Sequence, residues 1–362
     1  MTEIRKTDFV EALKTVVPFI STGTLAILGS VKINVCGDKA VFQTTDLTSF
    51  ASAECAAIGS DDFVACTDAK RLQSVIMMVP GELVHIGMED YKLTIEGGGY
   101  SCSIQTVEAG DFPAMHDEAA VSVIKILPEQ LASIVAKGGF AHADDLSRQV
   151  LCGVSFRMFA GSLCVTSTDG HRLGRCSTPA GGDECDFVLP ASAVARLSKA
   201  QGDDEMLIGV SVNYATFQFK KSMVSVKVEK DIYPDVDRVI PKNFRGEFVV
   251  GRDDLLSAVR RVAVLANEKT RLIALDIADG ETGISVINRD IGGESSDTVK
   301  TDYSGDPIKI GVNAMLFTQI LSLANADNVR IKFGNETSPV MIYPEPCIGE
   351  EYLLMPLRIL GE

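Results

Sequence analysis

Apolar residues in this chain fall into two spacings, alternate positions and helical periods, and the change from one to the other recurs at a fixed interval. Alternating or continuous apolar runs at 206–212, 223–229 and 328–333 predict strands, separated by Gly and Asp clusters. Gly97, Gly98 and Gly99 lie between β-like runs at 91–96 and 100–106, which predicts a hairpin turn needing positive φ. Six helices are predicted, over 8–18, 68–79, 128–138, 190–200, 252–265 and 313–324. Phe9, Leu131 and Leu255 hold matching places in three of them, at offsets of 122 and 124 residues. A second strand-then-helix unit starts near Phe63, Phe187 and Ile308, at offsets of 124 and 121. A large apolar residue precedes proline at Phe112-Pro113, Tyr233-Pro234 and Met355-Pro356, 121 and 122 residues apart. A period of this length is that of a small domain rather than a solenoid repeat. The chain therefore reads as one α+β domain in triplicate, over 1–121, 122–244 and 245–362, each copy with two helices and roughly eight strands.

The 46% hydrophobic content supports a core in each third. No apolar run approaches the length of a membrane span and residues 1–6 are polar and charged, so a cytoplasmic protein without a membrane partner is expected. Nine scattered cysteines with no C-x-x-C pair argue against a disulfide framework or a zinc site. The four histidines, His85, His116, His142 and His171, have no partner at metal-ligand spacing, and Asp169-Gly170-His171 reads as a turn after a strand. No phosphate-binding glycine loop and no nucleophile elbow occurs, so neither cofactor, metal nor catalytic residue is expected. A hydrolase or transferase finds no support.

Charge is divided unevenly. The predicted helices carry nine basic residues (Lys14, Lys70, Arg71, Lys137, Arg196, Lys199, Arg252, Arg260, Arg261) against six acidic ones, a balance of +3 in a chain of −15. If the helices share a surface, that surface suits a polyanion while the acidic exterior repels it. Helix propensity of Lys and Arg alone is the alternative, and the uncharged helix 313–324 favours it.

The strings TDGHRLGRCS at 168–177, IYPDVDRVIPK at 232–242, GRDDLLSAVRRVAVLANEK at 251–269 and YLLMPLR at 352–358 closely resemble the β sliding clamps of bacterial DNA polymerase III. The resemblance runs in order from 24 to 358. It implies a head-to-tail homodimeric ring with helices lining the hole, which encircles duplex DNA without reading sequence and tethers a polymerase. By the same resemblance Lys14, Lys70, Lys137, Arg196, Lys199, Arg252 and Arg260 face DNA, and the dimer joins Arg71, Cys102 and Ile104 to Val264, Leu265 and Asp297 of a second copy. Val264 and Leu265 read equally as the end of a buried helix face.

A cleft for short peptide motifs is implied at Leu151, Thr168, Gly170, His171, Leu173, Pro234, Arg238, Val239, Asn313, Leu316, Val340, Met355, Pro356, Leu357 and Arg358. Its partners would be the polymerase III α subunit, the clamp loader, other polymerases and repair proteins. Read without the family, Leu151, Leu173 and Val340 are ordinary core residues. Departures from the family pattern are Thr22 in place of a DNA-contacting basic residue, the tip at 144–150, Thr270 and Leu316 in place of aromatics, and the tail 359–362, which is expected to drape over the cleft. Thr22 and the tip leave a second function open, a clamp-like peptide-binding scaffold with reduced DNA encirclement.

Overall fold

The structure, a computed structural model, describes residues 1–59, 61–116, 118–197 and 204–359. Its six α-helices are α1 (Lys6–Val16), α2 (Ala69–Met78), α3 (Pro128–Gly138), α4 (Ala191–Leu197), α5 (Arg252–Ala263) and α6 (Ala314–Leu323), and the remainder is mainly antiparallel strand. Each helix is amphipathic at helical period. α1 buries Phe9, Ala12, Leu13 and Val16, and α6 buries Ala314, Phe317, Ile320 and Leu321. Helix α1 starts two residues before the predicted boundary. The strand Thr2–Arg5 is held in register with Leu83–Glu89 and ends at Arg5, so the chain turns into the helix there.

The chain divides into two compact units, Met1–Glu129 with Ala180–Glu229, and Gln130–Pro179 with Lys230–Glu362. The middle third is thus shared between them. In the first unit a single 13-stranded sheet runs from Thr2–Arg5 through Leu83–Glu89, Lys92–Gly97, Tyr100–Val107, Phe63–Asp68, Ser30–Cys36, Lys39–Thr45 and Ser49–Ala56. It continues into Ser222–Lys227, Tyr214–Gln218, Met206–Val210, Ser122–Ile126 and Gly181–Gly182. Helices α1 and α2 pack together in this unit, where Phe9 meets Phe42 at 4.9 Å between ring centres. The expected hairpin forms: Gly97 pairs with Tyr100 across Gly98 and Gly99, whose φ values are 55° and 83°.

In the second unit one sheet orders Gly153–Phe159, Ser162–Thr168, Arg172–Pro179, Glu350–Leu354, Val340–Glu345, Asn328–Phe333 and Gly246–Gly251. A four-stranded sheet orders Gly293–Lys300, Glu281–Asn288, Leu272–Ala278 and Ile308–Asn313. Phe248, Phe317, Phe333 and Tyr352 are fully buried in the core they share with α5 and α6.

The repeat is visible bond by bond. Asp46 Oδ1 accepts the N–H groups of Thr48 and Ser49 at 3.0 and 2.6 Å, and Asp169 Oδ1 accepts those of His171 and Arg172 at 2.8 and 2.9 Å. Thr45 Oγ1 donates to Ser49 O at 2.8 Å, as Thr168 Oγ1 donates to Arg172 O at 2.7 Å. The residue between adopts positive φ in both turns, 72° at Leu47 and 86° at Gly170. Downstream, Lys227 N–H reaches Thr48 O at 2.9 Å, and Met355 N–H reaches His171 O at 2.8 Å.

One charged group is built into the second unit's interior. Lys137 Nζ lies 2.6 Å from Glu350, whose side chain is 6% exposed, and the Tyr352 hydroxyl donates to the same carboxylate at 2.7 Å. Burial, reinforced by the Glu350 charge, pushes the Tyr352 phenol well above its ordinary pKa, so it stays a donor. Replacing Lys137 by Ala strands the carboxylate, and the expected loss is about 3–5 kcal/mol of stability. Chemical denaturation measures it; an unshifted midpoint would show that Glu350 has another source of compensation.

Candidate functional site

The Thr168–Arg172 turn, the start of α6 and the C-terminal segment meet in the second unit. Met355 N–H binds His171 O, and Leu357 N–H binds Gly311 O at 2.7 Å, so the segment 355–357 runs beside the strand Ile308–Asn313. Gly311 makes that approach possible, since a Cβ there would lie 2.9 Å from both Ile359 and Leu272 side chains. Asn313 caps α6, its side-chain oxygen accepting the N–H groups of Met315 and Leu316 at 3.0 and 3.2 Å. Arg172 stacks over Phe140 at 5.2 Å and binds Asp169 at 3.0 Å and Gln319, fixing the turn to α6. Thr168 N–H is held by the hydroxyl of Tyr233 at 3.0 Å, and burial raises that phenol to about 12.

Between these elements lies an open groove of about 510 Å³, lined by Asp169, His171, Lys269, Thr270, Leu272, Asn313, Leu316, Met355, Leu357 and Arg358. Leu272, Leu316, Met355 and Leu357 give it an apolar wall. Six residues expected from the sequence are gathered here: His171, Asn313, Leu316, Met355, Leu357 and Arg358. Asp169, Lys269 and Leu272 were missing from the expected set, although Asp169 and Lys269 stood inside the quoted strings. No local signal marks Leu272, which reads as a strand residue.

Other expected residues take different places. Leu173 is fully buried, packed with Met341 and Leu353 and covered in part by Met355, and Val340 is 1% exposed in the main core. These two support the groove from beneath rather than line it. Thr168 and Gly170 shape the turn through their hydrogen bonds. Arg238 is exposed and bound to Asp235 at 3.0 Å, while Val239 is exposed beyond the short turn Val236–Arg238. Leu151 and Pro234 do not line the groove. Ile359 lies against Gly311, and 360–362 fall outside the described residues.

Among the helix cations, Lys14 and Lys70 are exposed and form no ion pair among the described residues. Arg260 is exposed and reaches Ser322 at 3.2 Å. Lys137 is spent on Glu350, Arg196 on Asp46 at 2.7 Å, and Arg252 on Asp253 at 3.2 Å and the carbonyl of Ala326. The acidic surplus of the chain thus supplies intrachain partners to Lys137, Arg196 and Arg252. Lys199 lies outside the described residues.

Family models for the DNA polymerase III beta subunit match the chain in order, the N-terminal domain over 2–116, the central domain over 125–235 and the C-terminal domain over 237–358. The chain belongs to the DNA polymerase III β-subunit family. The beta sliding clamp of Caulobacter vibrioides is 27% identical over 349 residues, 93% of each chain. That of Escherichia coli K12 is 26% identical over 342 residues, again 93% of each. The crystal structure of the Pseudomonas aeruginosa β subunit shares the fold with a TM-score of 0.94 at 24% identity, covering 99% of this chain and 100% of that one. The Thermotoga maritima β subunit does so with a TM-score of 0.94 at 21% identity and the same coverage.

The fold is thus three tandem clamp domains, and the family is one of non-catalytic processivity subunits, not of enzymes. No helix among the described residues is long and apolar enough to cross a membrane. At the positions the clamp family uses for dimerisation, Val264 is 79% exposed and Leu265 half-buried, so Val264 is not the end of a buried face. Arg71 is exposed near the start of α2, where its N–H is capped by Asp68, and Cys102 is half-buried. Ile104 is only 6% exposed, and Asp297 is bound by Arg261 at 2.6 Å, which lowers its carboxyl pKa.

Leu173→Ala is expected to cost about 2–5 kcal/mol because it opens a cavity under the groove. His171→Ala, on the surface, should stay within about 0.5 kcal/mol. Denaturant midpoints of the two variants check the distinction, and equal losses would refute the division into support and wall.

Proposed function

We propose that this chain is a ring-forming DNA sliding clamp: two copies join head to tail, encircle duplex DNA and hold polymerases and other replication proteins through peptides bound in the groove. The observation that carries the reading is a pair of open strand edges of unlike sequence. Tyr100–Val107 pairs on one side with Lys92–Gly97, but on the other only through Thr106 and Val107, leaving 100–105 unpaired there among the described residues. Gly293–Lys300 is the outermost strand of its sheet. A long open edge is a template for pairing with another chain, and two different edges favour a head-to-tail joint over a self-complementary one. Val264, Ile287 and Ile291, all more than half exposed in the same unit as the second edge, add apolar surface for such a joint.

Retention by closure needs only weak, sequence-independent phosphate contacts, and Lys14, Lys70 and Arg260 are suited to provide them. The neutralised Lys137, Arg196 and Arg252 support a second reading, a peptide-binding scaffold with reduced encirclement. The two readings part on a nicked DNA circle treated with a clamp loader at salt that screens phosphate contacts. Retention on the circle and loss after linearisation is the expected result. Equal loss from both would favour the scaffold. Lys14→Ala and Lys70→Ala should each lower the salt slope of residual DNA binding by about 1.

A further inference from the structure

The first unit carries a hollow of about 410 Å³ on one face of its 13-stranded sheet, and the internal repeat accounts for it. Because Lys227 and Met355 make matching backbone bonds, the strand registers place Thr216 where the second unit has Met341, and Gly209 where it has Lys332. Leu207 and Val123 likewise stand at the places of Arg330 and Glu247. In the second unit this face is charged and covered. Glu247 binds Arg330 at 2.7 Å and Lys332 at 2.9 Å, and Lys332 lies 5.7 Å from the ring centre of Phe244. Phe244, with Val236 and Ile240 from the same segment, packs onto Leu173, Met341 and Leu353. The first unit's segment is shorter, nine positions from Pro113 to Ser122 against twelve from Pro234 to Gly246, and Met115 is its only large apolar residue at the hollow. Apolar surface from Leu207 and Met223 is therefore left open around Gly209.

One carboxylate sets the charge of this hollow. Glu118 lines it, is exposed and forms no ion pair among the described residues. Neutral donors hold it, Asn213 Nδ2 and Ser211 Oγ at 2.9 Å each, and these bonds lower its pKa and keep it ionised. His116, stacked on Tyr214 at 4.5 Å, forms the wall beside it. Lys125, opposite Leu207 in the ladder, is at the far end, roughly 13 Å along the strand from Ser211, and does not line the hollow. We infer that the hollow docks a peptide segment of a partner protein in which a large apolar side chain adjoins a lysine or arginine. The apolar side chain takes the place that Phe244 fills in the second unit, and the cation meets Glu118. The second unit's own covering segment has this composition, with Phe244 between Lys242 and Arg245. An exposed carboxylate acts through a screened field, so the preference for a cation is modest and falls with salt.

Fluorescence anisotropy and photocrosslinking with the full chain test this, using acetylated, amidated peptides that carry an isoleucine, a benzoylphenylalanine and one variable position, Lys or Gln. The Lys peptide is expected to bind about 2- to 5-fold tighter than the Gln peptide at low salt. It should crosslink within 115–123 or 206–223. The Lys-to-Gln ratio, read within each variant, should fall toward one in Glu118→Gln and in wild type at high salt. Thr216→Met, which installs the second unit's side chain, should weaken both peptides about 10-fold by filling the hollow. Equal binding of the two peptides by wild type, a ratio unchanged in Glu118→Gln, or binding of neither peptide would overturn the inference. Crosslinks confined to the groove of the second unit would overturn it and leave that groove standing. If Thr216→Met instead changes the oligomeric state of the chain without peptide, the occupant is a second copy, and the assignment to a partner peptide falls.

Discussion

In both compact units, strands from successive thirds of the chain are hydrogen-bonded into one sheet. Ser49–Ala56 pairs with Ser222–Lys227, from Ala53 opposite Ser222 to Ser49 opposite Val226. Arg172–Pro179 pairs with Glu350–Leu354, from Arg172 opposite Leu354 to Cys176 opposite Glu350. Main-chain N–H and C=O groups at a repeat boundary must find partners, and here each repeat satisfies the edge of the next. That constraint explains why the middle third is divided between two units. It also leaves 100–105 and the outer side of Gly293–Lys300 without a paired strand among the described residues.

The same pairing positions the groove. Once Arg172 is registered against Leu354, the residues that follow, Met355 to Arg358, have to leave the sheet beside the Asp169 turn and the start of α6. The first unit makes the corresponding turn at Asp46 with the same hydrogen bonds. What differs is what comes after. Lys227 ends the strand and Val228 follows it in the first unit, whereas Met355 and Pro356 follow the strand in the second, so one duplicated backbone carries two surfaces. The Lys137–Glu350 pair ties α3 to the beginning of the same strand, and the Tyr352 hydroxyl adds a second hydrogen bond to the carboxylate.

Charge follows a related logic. A strongly acidic chain offers many carboxylates to each cation, and several helix cations are captured by them, leaving Lys14, Lys70 and Arg260 to face solvent. At the groove the balance is inverted, because the one acidic residue of the lining is bound internally while Lys269 and Arg358 form no ion pair among the described residues. Net charge on each helix, which the sequence supplies, is therefore a poor guide to the field outside it. The available charge depends on which partners the fold brings within about 4 Å.

The sequence by itself determined the triplication, the α+β class, the helices to within about two residues except the end of the fourth, which lies outside the described residues, and the Gly98-Gly99 hairpin. These follow from periodicity and from backbone preferences that act over a few residues. Six of the groove residues were also legible, through strings that resemble the clamp family. Tertiary structure alone decided that Ile104 is interior, that Lys137 and Asp297 are already paired, and that Leu272 and Lys269 join the groove wall. A burial fraction or an ion pair depends on atoms tens to hundreds of positions away in the chain, such as Glu350 for Lys137. No local pattern of apolar and polar residues carries that information.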